Sequence, residues 1–236
     1  VEDCFAGKLE KRILPPERNR KRVLDLGCGP GLWTVEIGQN GCKGINTADL
    51  TISALKLTEE RCRIYGVKAI CSQQNAENLA YKTGVFSHVN CQGVIHHTPN
   101  TKACIEEIAR VLGDKGTASI SVYNKNIILR AWPFLGWAGK VLNKMGGSLS
   151  GRGRENIYNI TNINEIVRCY DGKDNPVGKC YMRKEFVQMV EPYFYVKDTY
   201  FHFFPARTLP FKIPKLLHRV LDRRMGFMIY ATLEKK

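Results

Sequence analysis

Three closely spaced glycines are the first residues whose types and spacing suit ligand binding. Gly27, Gly29 and Gly31 end the stretch VLDLGCGPG, which begins as an apolar, strand-like run. Because glycine has no Cβ, such a loop lets the backbone approach a nucleotide-like cofactor closely. A dinucleotide-binding loop is disfavoured, since Leu32 stands where its third glycine belongs. A phosphate-binding P-loop is excluded, because no Gly-Lys-Ser/Thr sequence follows.

Two adjacent histidines, His96 and His97, are the side chains best suited to acid–base chemistry. Imidazole has an ordinary pKa of ~6.5 and can remove a proton from a hydroxyl or ammonium substrate. The alternative is that the pair packs between a strand and a helix and hydrogen-bonds to the backbone. The sequence leaves both interpretations open.

The nine cysteines favour neither a metal site nor a disulfide framework. They form no C-x-x-C pair, and most lie in apolar surroundings where cysteine behaves as a small hydrophobic residue. We therefore expect no metal and a reducing, cytoplasmic location. We also expect no signal peptide and no membrane-spanning segment, because no apolar stretch approaches the ~20 residues that a bilayer requires.

The elements that must position these residues alternate between strands and helices from Arg22 to Asn124. This alternation is typical of βαβ units in a doubly wound sheet. Ligands of such sheets bind outside the carboxyl ends of the strands, where the glycine loop and the histidines fall. The predicted strands are 22–27, 43–50, 68–74, 86–95 and 117–124, and the predicted helices are 31–41, 52–66 and 104–116.

The second half of the chain has a different pattern. An aromatic, partly helical insertion of residues 125–182 follows a core of residues 1–124, and residues 183–236 complete the core sheet. In this last region we predict a helix at 183–194, a strand at 196–204, a basic amphipathic helix at 213–224 and a strand at 227–235.

Five ordered motifs carry a resemblance to a known family. They are the glycine loop after Asp25, ADLT (48–51), NAENL (75–79), NCQGVIHHTP (90–99) and IEEIARVLGDKG (105–116). Together they resemble class I S-adenosylmethionine-dependent methyltransferases of the small-molecule type, the group that includes the ubiquinone and menaquinone biosynthesis methyltransferases. The resemblance covers residues 22–124 well and the final elements loosely. It implies a Rossmann-like α/β fold: a seven-stranded, mostly parallel sheet with an antiparallel last strand, helices on both faces, and a lid between strands five and six.

The resemblance implies S-adenosyl-L-methionine as cofactor and assigns roles to several residues. Asp49 would accept hydrogen bonds from the ribose hydroxyls, although a helix N-cap is its alternative role. Asn75 would contact the adenine amino group; it replaces the family's aspartate, but its carbonyl can still accept. The backbone of Cys91 would bind the cofactor's amino group. The predicted cofactor-binding residues are Asp25, Gly27, Cys28, Gly29, Gly31, Asp49, Leu50, Asn75, Ala76 and Cys91.

The resemblance also places the end of strand four beside the methyl group to be transferred. His96 and His97 are therefore the catalytic candidates. Many family members carry two histidines here although their substrates differ, which favours a structural or cofactor-contacting role. A nucleophilic Cys91 thiol is the less favoured interpretation.

The substrate is predicted less directly, from aromatic and arginine side chains in and beside the insertion. They suit a flat or apolar substrate with an anionic group, or else they pack the lid onto the sheet. These residues are Trp132, Phe134, Trp137, Tyr158, Tyr170 and Tyr181, with Arg130, Arg152, Arg154, Arg168 and Arg183.

The positive charge is concentrated in the second half of the chain. Residues 1–124 hold 16 basic and 13 acidic residues, whereas residues 125–236 hold 20 and 9. This excess suits anionic substrates, lipid head groups or nucleic acid. Residues 213–224 form a basic amphipathic segment, which either contacts an anionic membrane or packs on its own domain.

We therefore predict methyl transfer to oxygen or nitrogen of a small molecule, which is anionic, aromatic or lipid-like. One alternative is an RNA or other nucleic-acid methyltransferase. It is disfavoured because strand four ends in Asn-Cys-Gln-Gly and not in the Pro-Pro-Tyr pattern of amino-methylating DNA enzymes. The other alternative is a non-catalytic partner subunit that binds the cofactor. The sequence does not fix the oligomeric state.

Overall fold

The computed structural model describes residues 10–144, 157–172, 175–204 and 213–236. These residues divide into two compact units. The sheet unit consists of Glu10–Ser121, Val187–Thr199 and Tyr230–Lys236. The second unit consists of the described parts of Val122–Phe186 and Tyr200–Ile229.

The sheet unit begins with the alternating strands and helices that the sequence predicts. Its strand β1 carries the apolar run before the glycine loop and is buried from its second residue onward. Burial on both faces is typical of the central strand of a parallel sheet. The elements are β1 Arg22–Leu26, α1 Leu32–Gln39, β2 Gly44–Asp49, α2 Ile52–Tyr65, β3 Ala69–Gln73, β4 Phe86–Gln92, α3 Thr101–Val111 and β5 Leu112–Asn124.

The later elements complete the sheet and form the second unit. A short 3₁₀ helix, Ile95–His97, follows β4, and another, Ile157–Asn159, lies in the second unit. The remaining elements are α4 Ile127–Arg130, α5 Trp132–Lys144, α6 Ile163–Asp171, β6 Cys180–Tyr181, α7 Arg183–Val190, β7 Phe194–His202, α8 Lys215–Met225 and β8 Met228–Lys235.

Eight strands of the described residues form one sheet, in the order β3-β2-β1-β4-β5-β8-β7 with β6 beside β5. The pairs among β1 to β6 are parallel, and the C-terminal strands are antiparallel. This confirms the predicted α/β class and mostly parallel sheet. The strand beyond the predicted seven is the two-residue β6, which is too short to give a pattern in the sequence.

The helix predicted over residues 104–116 ends earlier than expected, at Val111. Helix α3 ends at Val111 and β5 begins at the next residue, so the Gly-Asp-Lys-Gly stretch lies within the strand. The buried Leu112 pairs with Phe86, and the register shifts between Phe86 and His88. Lys115 adopts a positive φ of 55°. A bulge of this kind accommodates the extra residues of β5 that the sequence pattern placed in the helix.

Within the second unit, the predicted substrate-binding aromatics divide into two groups. Trp132 is buried and lies parallel to Tyr158, with ring centroids 6.0 Å apart. The Tyr158 ring occupies the place where a Cβ of Gly139 would be, so these side chains pack the unit itself. Phe134 and Trp137, by contrast, are 82% and 72% exposed.

The predicted arginines show the same mixture of roles. Arg168 pairs with Glu165 and donates to the Asn175 carbonyl, which stabilises α6 within its own unit. Arg183 lies over the ring of Phe201, 5.8 Å from its centroid. Arg152 and Arg154 lie outside the described residues, as does the side chain of Tyr170.

No helix among the described residues is long and apolar enough to cross a membrane. Those residues also contain no group of three or more histidine, cysteine, aspartate or glutamate side chains placed to hold a metal ion.

Candidate cofactor-binding site

The glycine loop lies at the carboxyl end of β1 and leads directly into α1. The backbone N–H groups of Gly27 and Cys28 donate to the Ala48 carbonyl, at 2.7 and 3.1 Å, which fixes the loop to the end of β2. Gly27, Gly29 and Gly31 have φ values of 71°, 52° and 80°. Side chains other than glycine rarely adopt this left-handed conformation, so the loop requires glycine at these positions.

The three glycines meet different surroundings. A Cβ on Gly27 would lie 2.2 Å from a methyl carbon of Val94, and one on Gly31 would lie 2.9 Å from Thr58 Oγ1. A Cβ on Gly29 would have no atom of the described residues within 4 Å. Packing therefore explains the missing side chains of Gly27 and Gly31, whereas Gly29 faces open space that a ligand can occupy.

Asp49 ends β2 and fixes the same loop from the side. Its Oδ2 accepts the Gly29 N–H at 2.9 Å, and its Oδ1 accepts both the N–H and the hydroxyl of Thr51 at 2.9 Å. The N-cap of α2 is Thr51, so Asp49 does not occupy the alternative position that its sequence context allowed. A carboxylate has about four acceptor sites, and Asp49 therefore retains capacity for a ligand hydroxyl. Leu50, beside it, is largely exposed.

Asp25 is buried in β1, two residues before Gly27. Its two carboxylate oxygens accept hydrogen bonds from Thr34 Oγ1 at 2.6 Å and from Asn90 Nδ2 at 2.7 Å. Burial raises the pKa of Asp25 from 3.8 to about 6, and these hydrogen bonds limit the rise. Asp25 thus joins β1, α1 and β4 around the loop, while its contact with a cofactor stays a prediction.

Asp25→Asn should remove a pH dependence of stability. Because the pKa is higher in the folded state, the unfolded chain ionises first between about pH 4 and 6, and the free energy of unfolding falls as pH rises. A pKa raised from 3.8 to about 6 corresponds to roughly 3 kcal/mol. We expect urea unfolding at pH 4 to 7 to show this fall in the wild type and a flatter profile in Asp25→Asn. Equal pH slopes in the two proteins would contradict the assignment.

Asn75 and Ala76 follow β3 in a tight turn. The Asn75 carbonyl oxygen of the side chain accepts the Glu77 N–H at 3.0 Å, and its backbone carbonyl accepts the Asn78 N–H. Asn75 is exposed and Ala76 is buried. An amide oxygen has two lone pairs, so one remains for the predicted contact with a ligand amino group.

The two predicted histidines, which follow β4, differ in their burial. His96 is fully buried, and burial together with the neighbouring His97 holds the pKa of His96 well below its usual range. His97 is half-buried, and its ring centroid lies 4.2 Å from that of His96. Of the two, His97 therefore has the exposure that contact with a substrate requires.

The thiols near the site are poor nucleophiles. Burial raises the pKa of Cys91 well above its usual range, and burial also raises the pKa of Cys28. Both thiols therefore stay protonated, while only a thiolate attacks efficiently. This disfavours a nucleophilic Cys91 and leaves its predicted backbone contact untouched.

Thr58 is a residue of the site that the sequence did not indicate. It is buried in α2, where its hydroxyl donates to the Gly29 carbonyl at 2.8 Å and lies 3.4 Å from the Cys28 sulfur. Together with Asp49, it holds the Gly29 backbone on both its N–H and its carbonyl. A threonine within a helical pattern gives no signal of such a role, because the contact joins elements far apart in the chain.

Comparisons with known proteins agree with this geometry. A family model described as a methyltransferase domain matches residues 23–116. A ubiquinone biosynthesis O-methyltransferase of Xanthomonas oryzae pv. oryzae is 31% identical over 105 residues, which cover 44% of this chain and 44% of that protein. Matches to the curated relatives span about half of those proteins or less.

Solved structures share the fold across nearly the whole chain. An S-adenosylmethionine-dependent methyltransferase of Mesorhizobium loti has a TM-score of 0.64 at 14% identity, covering 93% of each chain. Another from Methanosarcina mazei has a TM-score of 0.61 at 18% identity, covering 91% of this chain and 92% of that one. The family match covers the glycine loop and Asp49, so residues 23–116 resemble a methyltransferase domain, and the chain shares the fold of solved S-adenosylmethionine-dependent methyltransferases.

Proposed function

We propose that this chain transfers a methyl group from S-adenosylmethionine to oxygen or nitrogen of a small molecule. The observation that carries the proposal is the open space at Gly29 beside the Asp49 carboxylate, at the carboxyl ends of β1 and β2. Backbone approach without a Cβ and a fixed carboxylate suit a cofactor that carries a ribose and no phosphate. The family match over residues 23–116 supports the same chemistry.

Each residue of the site then has a binding task. The Asp49 carboxylate accepts hydrogen bonds from the ribose hydroxyls, and the Cys91 backbone carbonyl accepts from the amino group of the methionine part. Asn75 and Ala76 hold the adenine. When bound, S-adenosylmethionine supplies an electrophilic methyl group, so the protein's contribution is chiefly the alignment of an acceptor with it.

His97 is the residue that we propose as general base. It follows β4 on the short 3₁₀ helix and is half-buried, so one edge of its ring can meet an acceptor. His96 is fully buried and stays neutral, which suits a packing role behind it. A base within hydrogen-bond reach takes the proton from an acceptor hydroxyl or ammonium as the methyl group is transferred.

The relatives support a small, apolar acceptor. The O-methyltransferases among them are named for ubiquinone biosynthesis, and this likeness is the ground on which we infer a flat aromatic acceptor. We place the protein in the cytoplasm, because the spacing of its nine cysteines, with no C-x-x-C pair, is typical of proteins of a reducing compartment.

Transfer of a labelled methyl group from S-adenosylmethionine into a cell extract tests the proposal. The extract is then separated into organic, aqueous and nucleic-acid fractions, and the chain with Gly29→Ala serves as the negative control. Label in the organic or aqueous small molecules supports the proposal. Label in nucleic acid would show that the acceptor is a nucleic acid and not a small molecule. Absence of label from every fraction, with cofactor binding measured as intact, would favour the non-catalytic partner subunit.

Asp49→Ala should weaken the binding of S-adenosylmethionine by about 1–3 kcal/mol, a typical cost of leaving polar partners unpaired. Isothermal titration calorimetry measures the affinity. Asp198→Ala is the control, because Asp198 pairs with the exposed Arg12 and has no place in the site. Unchanged affinity in Asp49→Ala would refute the ribose assignment.

A further inference from the structure

Helix α8 faces the rest of the second unit with polar side chains. His218 and Asp222, one turn apart, are its buried residues. Asp222 accepts the Phe204 N–H at 2.8 Å and bonds to the ring of His202, and His218 Nε2 donates to the Phe204 carbonyl at 3.0 Å. These hydrogen bonds attach the helix to residues at and just after the end of β7.

Three apolar residues of α8 lie on the outside, whereas Leu221 and Met225 are half-buried. Leu216, Leu217 and Val220 are 74%, 46% and 44% exposed. With 3.6 residues per turn, these three fall on the side opposite His218 and Asp222. A surface helix ordinarily turns its apolar stripe inward and its polar side to water. In α8, by contrast, three apolar residues face outward, and the fully buried residues are the polar His218 and Asp222.

The charges around this apolar stripe have one sign. Lys215, Arg219, Arg223 and Arg224 are all exposed, whereas the one acidic residue of the helix, Asp222, is buried. The outer surface of α8 therefore combines leucine and valine side chains with four cations. Apolar residues among exposed lysine and arginine are typical of helices that lie in the head-group region of an anionic membrane.

A second copy of this chain fits the surface poorly. Two such helices placed face to face would bring eight cations together, and the whole chain already carries a net charge of +14. Like charges in direct opposition across an interface cost free energy.

Helix α5 of the same unit also exposes large aromatic residues, Phe134 and Trp137, and has no acidic residue.

We propose that α8 binds the protein to an anionic lipid bilayer, with Leu216, Leu217 and Val220 inserted between head groups and the arginines on lipid phosphates. The helix then lies in the membrane plane and spans nothing. This inference rests on the surface of α8 alone and holds whatever reaction the sheet unit performs.

Flotation of the full chain with large unilamellar vesicles tests it. One set contains phosphatidylcholine alone, and the other contains phosphatidylcholine with 30 mol% phosphatidylglycerol, a composition chosen to be about one-third anionic. We expect binding to the anionic vesicles that weakens as salt is raised, and little binding to phosphatidylcholine. Equal binding to both sets, or no binding to either at low salt, would overturn the proposal.

Two variants of α8 measure separately how much its apolar residues and its arginines contribute to vesicle binding. Leu216→Gln with Val220→Gln removes the stripe, and Arg219→Gln with Arg223→Gln and Arg224→Gln removes three cations. Each arginine removed should lower the partition coefficient about fivefold, since a basic residue near an anionic surface contributes ~1 kcal/mol. The matched control is Leu57→Gln with Ile64→Gln, two exposed apolar residues of α2, which should bind as the wild type does.

The variants change exposed side chains, so their melting temperatures should match the wild type, and each is tested in its folded state. If the Leu216 and Val220 variant binds as strongly as the wild type, α8 does not insert. If only the arginine variant loses binding, the surface is an electrostatic site for acidic macromolecules. If only Phe134→Ser with Trp137→Ser loses binding, α5 is the contact. Each of these results contradicts the proposal.

Discussion

Replacing Gly29 by alanine should weaken the binding of S-adenosylmethionine by about a hundredfold and leave the chain folded. The added methyl group would enter the open space beside the Asp49 carboxylate, where the described residues leave room. Within the protein it meets nothing, so the folding cost is the left-handed backbone strain of about 1–2 kcal/mol. In the complex it overlaps the ligand, and overpacking costs up to ~3 kcal/mol.

Two other glycines serve as matched comparisons for this variant. Gly66 ends α2 with a φ of 67°, and a Cβ there would also meet no described atom within 4 Å, so Gly66→Ala should carry the strain without the loss of affinity. Gly31→Ala would push a methyl group against Thr58 and should cost about 2–5 kcal/mol of stability from strain and overpacking together. Calorimetry for affinity and urea unfolding for stability separate the three. Normal affinity in Gly29→Ala would show that the cofactor lies elsewhere.

His97→Ala should lower the rate of methyl transfer by about 10²–10⁴-fold, the usual contribution of a general base. The side chain is half-buried, so its removal should leave both the fold and the affinity for S-adenosylmethionine close to those of the wild type. Single-turnover kinetics with an acceptor found by methyl labelling measures the effect. Full activity in His97→Ala would exclude the residue as a base.

His96→Ala is the contrasting variant. Because His96 is fully buried, its loss leaves a cavity and should appear first as lower stability. Any fall in activity should then follow the folded fraction and disappear at lower temperature. A stable His96→Ala protein without turnover would reverse the roles of the two histidines.

The sheet and its loop could be predicted from the sequence because each has a local signal. The apolar run of β1, the glycines after it and the polar end of β2 at Asp49 are short patterns at the intervals that a βαβ unit requires. Their local conformations depend on residues close in the chain. The first four strands therefore lie within about three residues of their predicted bounds.

Features that depend on distant contacts could not be predicted in this way. The start of β5 at Leu112 is fixed by pairing with Phe86, which overrides the turn chemistry of the glycines that follow. The hydroxyl of Thr58 reaches Gly29 only because α2 packs against the loop. For α8 the sequence showed an amphipathic pattern, but periodicity cannot tell which side is covered, and the fully buried residues are the polar His218 and Asp222.

The hydrogen bonds of Asp49 and Thr58 to the Gly29 backbone have a consequence for the rate at which the cofactor binds. Asp49 accepts the Gly29 N–H at 2.9 Å and Thr58 donates to the Gly29 carbonyl at 2.8 Å, so the two peptide groups on either side of the Gly29 Cα are both held in place by the protein itself. Because the loop is already ordered, cofactor binding then loses little conformational entropy there. The rate of cofactor association should accordingly be set by diffusion and by access to the sheet edge, with no slow closing step of the glycine loop itself.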